Sequence, residues 1–230
     1  MLSDWFLKAR LQYRSRLCQD RDIQTYQQAL VPLLDLTIRE APLLALDLEM
    51  TGLDPKTEQI ISIGLIPIVN GQIKLCEGRH KLIKIEGSVG QSATIHGLVD
   101  ADLKQALPLD EALHWLLQEA TGSVLVAHHA PLDMSFIKYA LLQKNKISSS
   151  KQCHLYAIDT LRIEHQRLLR KQPMIKEGEL RLWSCRERYN LPNYDAHNAL
   201  VDALSCAELL MAQVSKMGGS DNLKVSDLIR

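Results

Sequence analysis

No run in this chain is long and apolar enough to cross a membrane as a helix. Its first residues, Met1-Leu2-Ser3-Asp4-Trp5-Phe6, carry an early acid and no apolar stretch of the kind a secretory signal needs. Cysteines are few and scattered: Cys18, Cys76, Cys153, Cys185 and Cys206 are odd in number and form no CxxC pair. That excludes a zinc knuckle and a disulfide framework, and points to a reducing compartment. Neither sign of charge is in surplus; the formal net charge is +0, so any attraction to nucleic acid or membrane has to be local. No GxGxxG follows a strand pattern, which removes a dinucleotide-binding oxidoreductase. Internal repeats and low-complexity segments are missing too. What remains is 230 residues, 46% of them hydrophobic, enough for one sizeable domain with an appendage. The expected location is cytoplasmic.

The stretch that organises the rest is Leu43-Leu44-Ala45-Leu46-Asp47-Leu48-Glu49-Met50-Thr51-Gly52. Bounded by Pro42 and Gly52, it reads as a buried strand. Alternation puts Asp47 and Glu49 on one face and Leu46, Leu48 and Met50 on the other. Before it, residues 1–40 read as a helical N-terminal extension, with Pro32 bending or ending its second helix. After it, Ile60 to Val69 is a long strand, Asn70-Gly71 a hairpin turn, and Ile73 to Ile85 a third strand with a bulge at Gly78. Pro108 to about Glu119 is a helix, and Ser123 to His129 a short buried strand that leads into a helix carrying Asp133. Cys153 to Ile158 is a strand, and Asp159-Thr160 opens a helix to about Lys171. Further helices cover Leu180 to Tyr189 and about Ala196 to Lys216, with Asp195 the candidate N-cap of the last. Alternating strands and helices after a meander make a mixed-sheet α/β domain, 41–217, closed by a short C-terminal tail, 218–230.

Two acids side by side at the edge of a core repel each other and lose solvation, a cost that a divalent cation with oxygen ligands offsets. A strand end in plain solvent explains a lone Asp-x-Glu equally well. Asp202 is a second lone acid, set in the small, apolar run Ala199 to Ala207. His197 lies five residues before it, about 140° away on a regular helix, so the two converge only if His197 sits where the chain is still turning in. Asp133 follows a buried strand at the mouth of the sheet, where α/β proteins place ligand contacts, although an acid in a helix's first turn is also good dipole chemistry.

Taken together these segments carry a resemblance. Asp47-Leu48-Glu49-Met50-Thr51-Gly52-Leu53-Asp54-Pro55, then Ile60-Ile61-Ser62-Ile63-Gly64, is similar to the first motif of the DnaQ-like 3′→5′ exonucleases, typified by proofreading ε subunits. Val126-Ala127-His128-His129-Ala130-Pro131-Leu132-Asp133 resembles the second motif, and His197-Asn198-Ala199-Leu200-Val201-Asp202 the third, in the histidine (DEDDh) variant. Ile95-His96-Gly97-Leu98 is similar to the family's short segment between the first two. The motifs stand in family order over roughly residues 42–215. His129 and Leu132 replace the usual Asn and Phe of the second motif, which bears on substrate preference. The chain also stops soon after the last helix, so a tether to a replicative polymerase is not expected.

The resemblance implies an RNase H-like fold, with a mixed five-stranded sheet flanked by helices, and a phosphodiester hydrolase acting on single-stranded 3′ ends. It implies two divalent cations, Mg²⁺ or Mn²⁺, about 3.5–4 Å apart, held by Asp47, Glu49, Asp133 and Asp202. It implies His197 as general base, an imidazole with an ordinary pKa of about 6.5 suiting that work at neutral pH. Met50, Thr51, Gly52, Leu53, His96 and His128 are the implied substrate contacts. Releasing nucleoside monophosphates from DNA is the first reading; an RNA or oligoribonucleotide exonuclease of the same fold, or a non-catalytic nucleic-acid-binding relative, are the alternatives. Arg79, Lys81 and Lys84, or Lys144, Lys146 and Lys151, form a basic patch or simply a solvated face. The N-terminal helices are a candidate surface for a protein partner; no membrane contact is expected.

Overall fold

The structure is a computed structural model that describes residues 2–86, 106–144, 147–149, 153–195 and 197–229. The organising strand, β1 (Leu43–Met50), runs antiparallel to β2 (Ile60–Val69) and parallel to β5 (Val124–Ala127). Beyond β5 lies β6 (Ala157–Asp159), also parallel. On the far edge of β2 the chain turns through Asn70 and Gly71, both at positive φ as a tight hairpin requires, into β3 (Gln72–Ile73) and then β4 (Arg79–Leu82). Both pair with β2, at Ile68–Val69 and at Ser62–Leu65, so six strand segments fill five places in one mixed sheet. The third strand is thus split, not bulged. A single 3-10 turn over Leu75–Glu77 interrupts it, where Leu75, Cys76 and Glu77 face solvent and offer no alternating pattern to pair.

Two cores follow from the alternation along β1. Leu44, Leu46 and Leu48 join a cluster with Leu113, Leu116 and Leu117 of α3 (Leu109–Ala120) and Phe136, Ile137 and Leu141 of α4 (Ala130–Gln143). Leu43 and Ala45 face the other way, towards Ala203, Cys206, Ala207 and Leu210 of α7 (Ala199–Lys216). Between the two come α5 (Thr160–Leu169) and the short α6 (Leu182–Glu187). Both faces of the sheet are therefore covered, as a sheet with buried parallel pairs needs.

At the N-terminus α1 (Leu2–Leu17) packs on α2 (Arg21–Leu33), which Asp20 caps through its carboxylate. Pro32 falls in the last turn of α2, which ends one residue later. Ile23 and Tyr26 enter the first core and Leu30 and Leu33 the second. Residues 218–229 do not trail away as a tail. Lys224 bridges to Thr37, Leu223 accepts from the Ile38 N–H at 2.8 Å, and α8 (Val225–Leu228) buries Val225 and Leu228 beside them. A Gly-Gly-Ser break hides this apolar segment from a sequence reading. Among the described residues, no helix is long and apolar enough to cross a membrane.

Candidate active site

Asp47 and Glu49 sit on the odd face of β1, the one α7 covers. What brings α7 there is a missing side chain. Gly64 of β2 stands directly across from Asp47, and a Cβ on it would lie 2.1 Å from the Ala199 carbonyl oxygen and 2.4 Å from the Leu200 nitrogen. Only glycine admits that approach, so the first turn of α7 rests on the strand beside the acid pair. Asp202, one turn in, then reaches the pair: the ligand oxygens of Asp47, Glu49 and Asp202 all lie within 4.8 Å of one another. The signal for Gly64 in the sequence was a lone glycine amid β-branched residues. His80, across Gly64 on β4, belongs to the same row, and burial lowers its pKa against the pull of Glu49.

The electrostatics of this pocket are those of acids crowded together. Asp47 is pushed well above the usual carboxylate range, first by burial and then by the charges of Asp133, Glu49 and Asp202. Asp202 is also raised by burial, partly offset by the His197 amide. Asp133 is buried in the first turn of α4 and lies outside the tight group of three. Burial raises it to about 8, in spite of backbone amides at Asp133 itself and Leu48, and Asp159 and Glu49 push the same way. An all-carboxylate donor set of this kind fits a hard divalent cation, whose charge would reverse each of these shifts.

His197 resolves the spacing problem by standing outside the helix. Its φ of 71° is left-handed, and its backbone N–H donates to Asp202 Oδ2 at 2.8 Å. Asn198, not Asp195, caps α7: its side-chain oxygen accepts from the Leu200 and Val201 amides at 3.1 and 3.3 Å. The helix starts three residues later than expected because its first turn is set by contact with Gly64.

The remaining expected contacts divide. Leu53 is 76% exposed on the loop that follows β1. Thr51 donates its hydroxyl to Glu58 at 2.5 Å and accepts from the Gln59 amide at 2.9 Å, closing the loop at Gly52. Met50 packs against the first core. His128 uses both ring nitrogens inside the protein: Nε2 donates to the Leu180 carbonyl at 2.8 Å, and Nδ1 lies 2.9 Å from the Thr160 hydroxyl. Burial lowers its pKa, and these two bonds tie the strand end to the 180 loop. Beside it, Asp159 accepts from the His129 and Leu161 amides, both at 3.0 Å, holding the turn into α4. His96 lies outside the described residues. Of the first basic patch, Arg79 pairs with Glu119; Lys146 and Lys151 of the second lie outside the described residues.

Comparison with known proteins finds an exonuclease family model, the RNase T type, matching residues 44–210. The PolC-type DNA polymerase III of Thermotoga maritima is 30% identical over 84% of this chain, which spans only 13% of that protein's length. The DNA polymerase III ε subunit of Rickettsia felis is 31% identical over 71% of this chain and 70% of its own. Among solved structures, the cell-death related nuclease CRN-4 superposes with a TM-score of 0.64 at 17% identity, over 79% of this chain and 66% of its own. The nuclease domain of 3′hExo, a DEDDh family member bound to rAMP, gives 0.62 at 12% identity over 83% and 96%. E. coli exonuclease I with a dT13 oligonucleotide gives 0.62 at 13% identity over 76% and 41%. At these identities the superpositions speak for the fold.

Proposed function

The chain belongs to the exonuclease family whose model spans its residues 44–210, and from that premise we propose that it is a metal-dependent 3′→5′ exonuclease releasing nucleoside monophosphates from single-stranded DNA. The observation that carries the proposal is the convergence of Asp47, Glu49 and Asp202 oxygens within 4.8 Å, with the His197 amide bound to the last of them. Residues 41–217 are the catalytic unit in this reading.

Asp47, Glu49 and Asp202 hold the cations, and Asp133 completes the set from the first turn of α4. Oxygen-only donors suit Mg²⁺ or Mn²⁺ over zinc. Bound there, the cations supply positive charge for activating water and for the departing 3′ oxygen. His197 takes the proton of the attacking water as general base. The hydrogen bond from its backbone N–H holds one carboxylate oxygen of Asp202, so metal holding and proton transfer share one anchor. Leu53, exposed on the loop that follows β1, gives the terminal base or sugar an apolar surface to lie on in this reading.

DNA is the first reading because the ε and PolC relatives are DNA polymerase components. RNA is the second, favoured by the rAMP-bound neighbour, which this chain matches over 96% of that chain's length. The same relatives point to a polymerase as partner, and the exposed face of α1, with Phe6, Tyr13 and Leu17, is the surface proposed for it. Charged substitutions on that face should abolish copurification of a polymerase subunit; unchanged copurification removes the assignment.

The test is digestion of matched end-labelled DNA and RNA strands with Mg²⁺, Mn²⁺ or EDTA. Metal-dependent laddering from the 3′ end, lost in Asp47→Ala, is expected, with DNA the faster substrate. Cleavage that persists in EDTA or in Asp47→Ala refutes the reading, and faster RNA digestion moves it to the second branch.

A further inference from the structure

The loop that delivers His197 is exposed and irregular over residues 192–195 and 197–198, yet it is tied down at one point that lies outside the three motifs. Arg186, on α6, is 2% exposed. Its guanidinium donates Nη1 to the Ser205 carbonyl at 2.7 Å, and Nη2 to the Pro192 carbonyl at 2.6 Å and to Glu208 Oε2 at 2.7 Å. The Tyr194 ring lies over it, with the guanidinium carbon 4.8 Å from the ring centroid, and the Tyr194 hydroxyl donates to Glu208 Oε1 at 3.0 Å. Ser205 and Glu208 are on α7; Pro192 and Tyr194 are on the loop.

We infer that Arg186, Glu208 and Tyr194 form a clamp that positions His197 for general-base work. Resting on the exonuclease reading, this adds residues that touch neither metal nor substrate. Two fixed points bracket the histidine. The clamp holds the loop to α7 at Pro192 and Tyr194, and the hydrogen bond from the His197 N–H to Asp202, with the Asn198 cap, holds it at the helix start. Only Asp195 and Ala196 lie between, so little slack is left for His197 to wander. A general base has to come within hydrogen-bond reach of its proton, and displacement of a catalytic group by about 1 Å can cost on the order of 10²-fold in rate. Arg186 is suited to the task because its planar fork binds several acceptors at once; one lysine ammonium could not span both the loop carbonyl and the helix. Burying it is tolerable because every partner is an oxygen acceptor or an aromatic face.

Tyr194 is the limb to cut, since it is 40% exposed and its loss opens no core. The experiment uses the full chain in two backgrounds, wild type and His197→Ala, with single-stranded DNA as substrate. Tyr194→Ala should lower kcat about tenfold in the wild-type background and change KM by less than about twofold, because ground-state binding is untouched. In the His197→Ala background the same substitution should have no further effect on kcat, since the group being positioned is gone. Tyr194→Phe, which keeps the ring but loses the bond to Glu208, should fall between. Independently of turnover, amide exchange in the metal-free Tyr194→Ala protein should quicken by about tenfold or more at residues 193–198 and nowhere else. Equal kcat losses in the two backgrounds, no loss at all, or unchanged exchange in the loop would each overturn the clamp. Wild type without metal-dependent digestion, or His197→Ala as fast as wild type, overturns the exonuclease reading and the clamp together.

Discussion

Asp133 and Glu164 are both carboxylates shut inside the protein, 4% and 0% exposed, yet their ionisation is pushed in opposite directions. Burial disfavours the charged form at each. At Glu164 that pressure is overcome from within: Arg167 donates to both oxygens, Arg188 donates Nε to Oε1 at 2.8 Å, and the Tyr189 hydroxyl donates to Oε2 at 3.0 Å. Its pKa falls to about 2. At Asp133 the neighbouring charges are more carboxylates, and the pKa climbs to about 8. One acid has its counter-charge built into α5 and the turn that ends α6, while Asp47 and Asp133 are pushed up by further carboxylates. A buried acid with internal cations ties elements together; buried acids facing each other mark a site.

Neutralising one acid in each place should separate these roles. Asp47→Asn, nearly the same shape, should cut hydrolysis by about 10³-fold or more while leaving the metal-free fold intact or more stable, because it removes a repelled charge. Comparable turnover in Asp47→Asn and wild type, in a single-turnover assay, would erase the distinction. His197→Ala should cost about 10²-fold in kcat and leave metal affinity alone, measured by calorimetric titration with Mn²⁺; a large drop in affinity would make His197 part of the cation site. Glu164→Gln should do the reverse of Asp47→Asn: digestion persists at low temperature, but urea unfolding shows a loss of about 2–3 kcal/mol. That figure allows for the partial exposure of Arg167 and Arg188.

The smallest effect is in pH, and its sign differs between the two places. Asp133 has a folded pKa above its ordinary 3.8, so its contribution to the metal-free protein is full below about 4 and is lost as pH rises towards 8. Glu164 has a folded pKa below its ordinary 4.5, so its contribution is present above that value and is lost as pH falls towards 2. Chelated protein should therefore be most stable in mildly acidic buffer, by on the order of 2 kcal/mol over pH 8, with the alkaline loss removed by divalent cation. Urea unfolding from pH 3 to 8 with and without Mn²⁺ checks this; alkaline loss that persists with metal would contradict it.

The strand, its two faces and the order of the three acid segments were readable in the sequence because each rests on local pattern. Period-two alternation put Asp47 on one face of the strand and Leu46 and Leu48 together on the other, in the first core, and Asn70-Gly71 named its own turn. What could not be read depends on contacts between distant segments. Asp195 and Asn198 are both good caps, and only the seat of α7 on Gly64 selects Asn198. The docking of Val225 and Leu228 beside Ile38 needs a partner nearly 190 residues earlier, from Ile38 to Val225, and no local signal announces it. Arg186 and Glu164 look like any charges on short helices until the fold shows what they hold. The motif that holds His128 is local, but the Leu180 carbonyl that accepts its ring N–H lies 52 residues on.

The account stands most directly on whether the acid pocket binds a divalent cation through Asp47, Glu49 and Asp202. Thermal unfolding of chelated protein titrated with Mn²⁺ measures it without substrate or turnover. Wild type should gain about 2.7 kcal/mol when Mn²⁺ reaches a hundred times its Kd, and Asp47→Ala should gain almost nothing. A midpoint that does not move with Mn²⁺, or moves equally in the two proteins, would contradict the account.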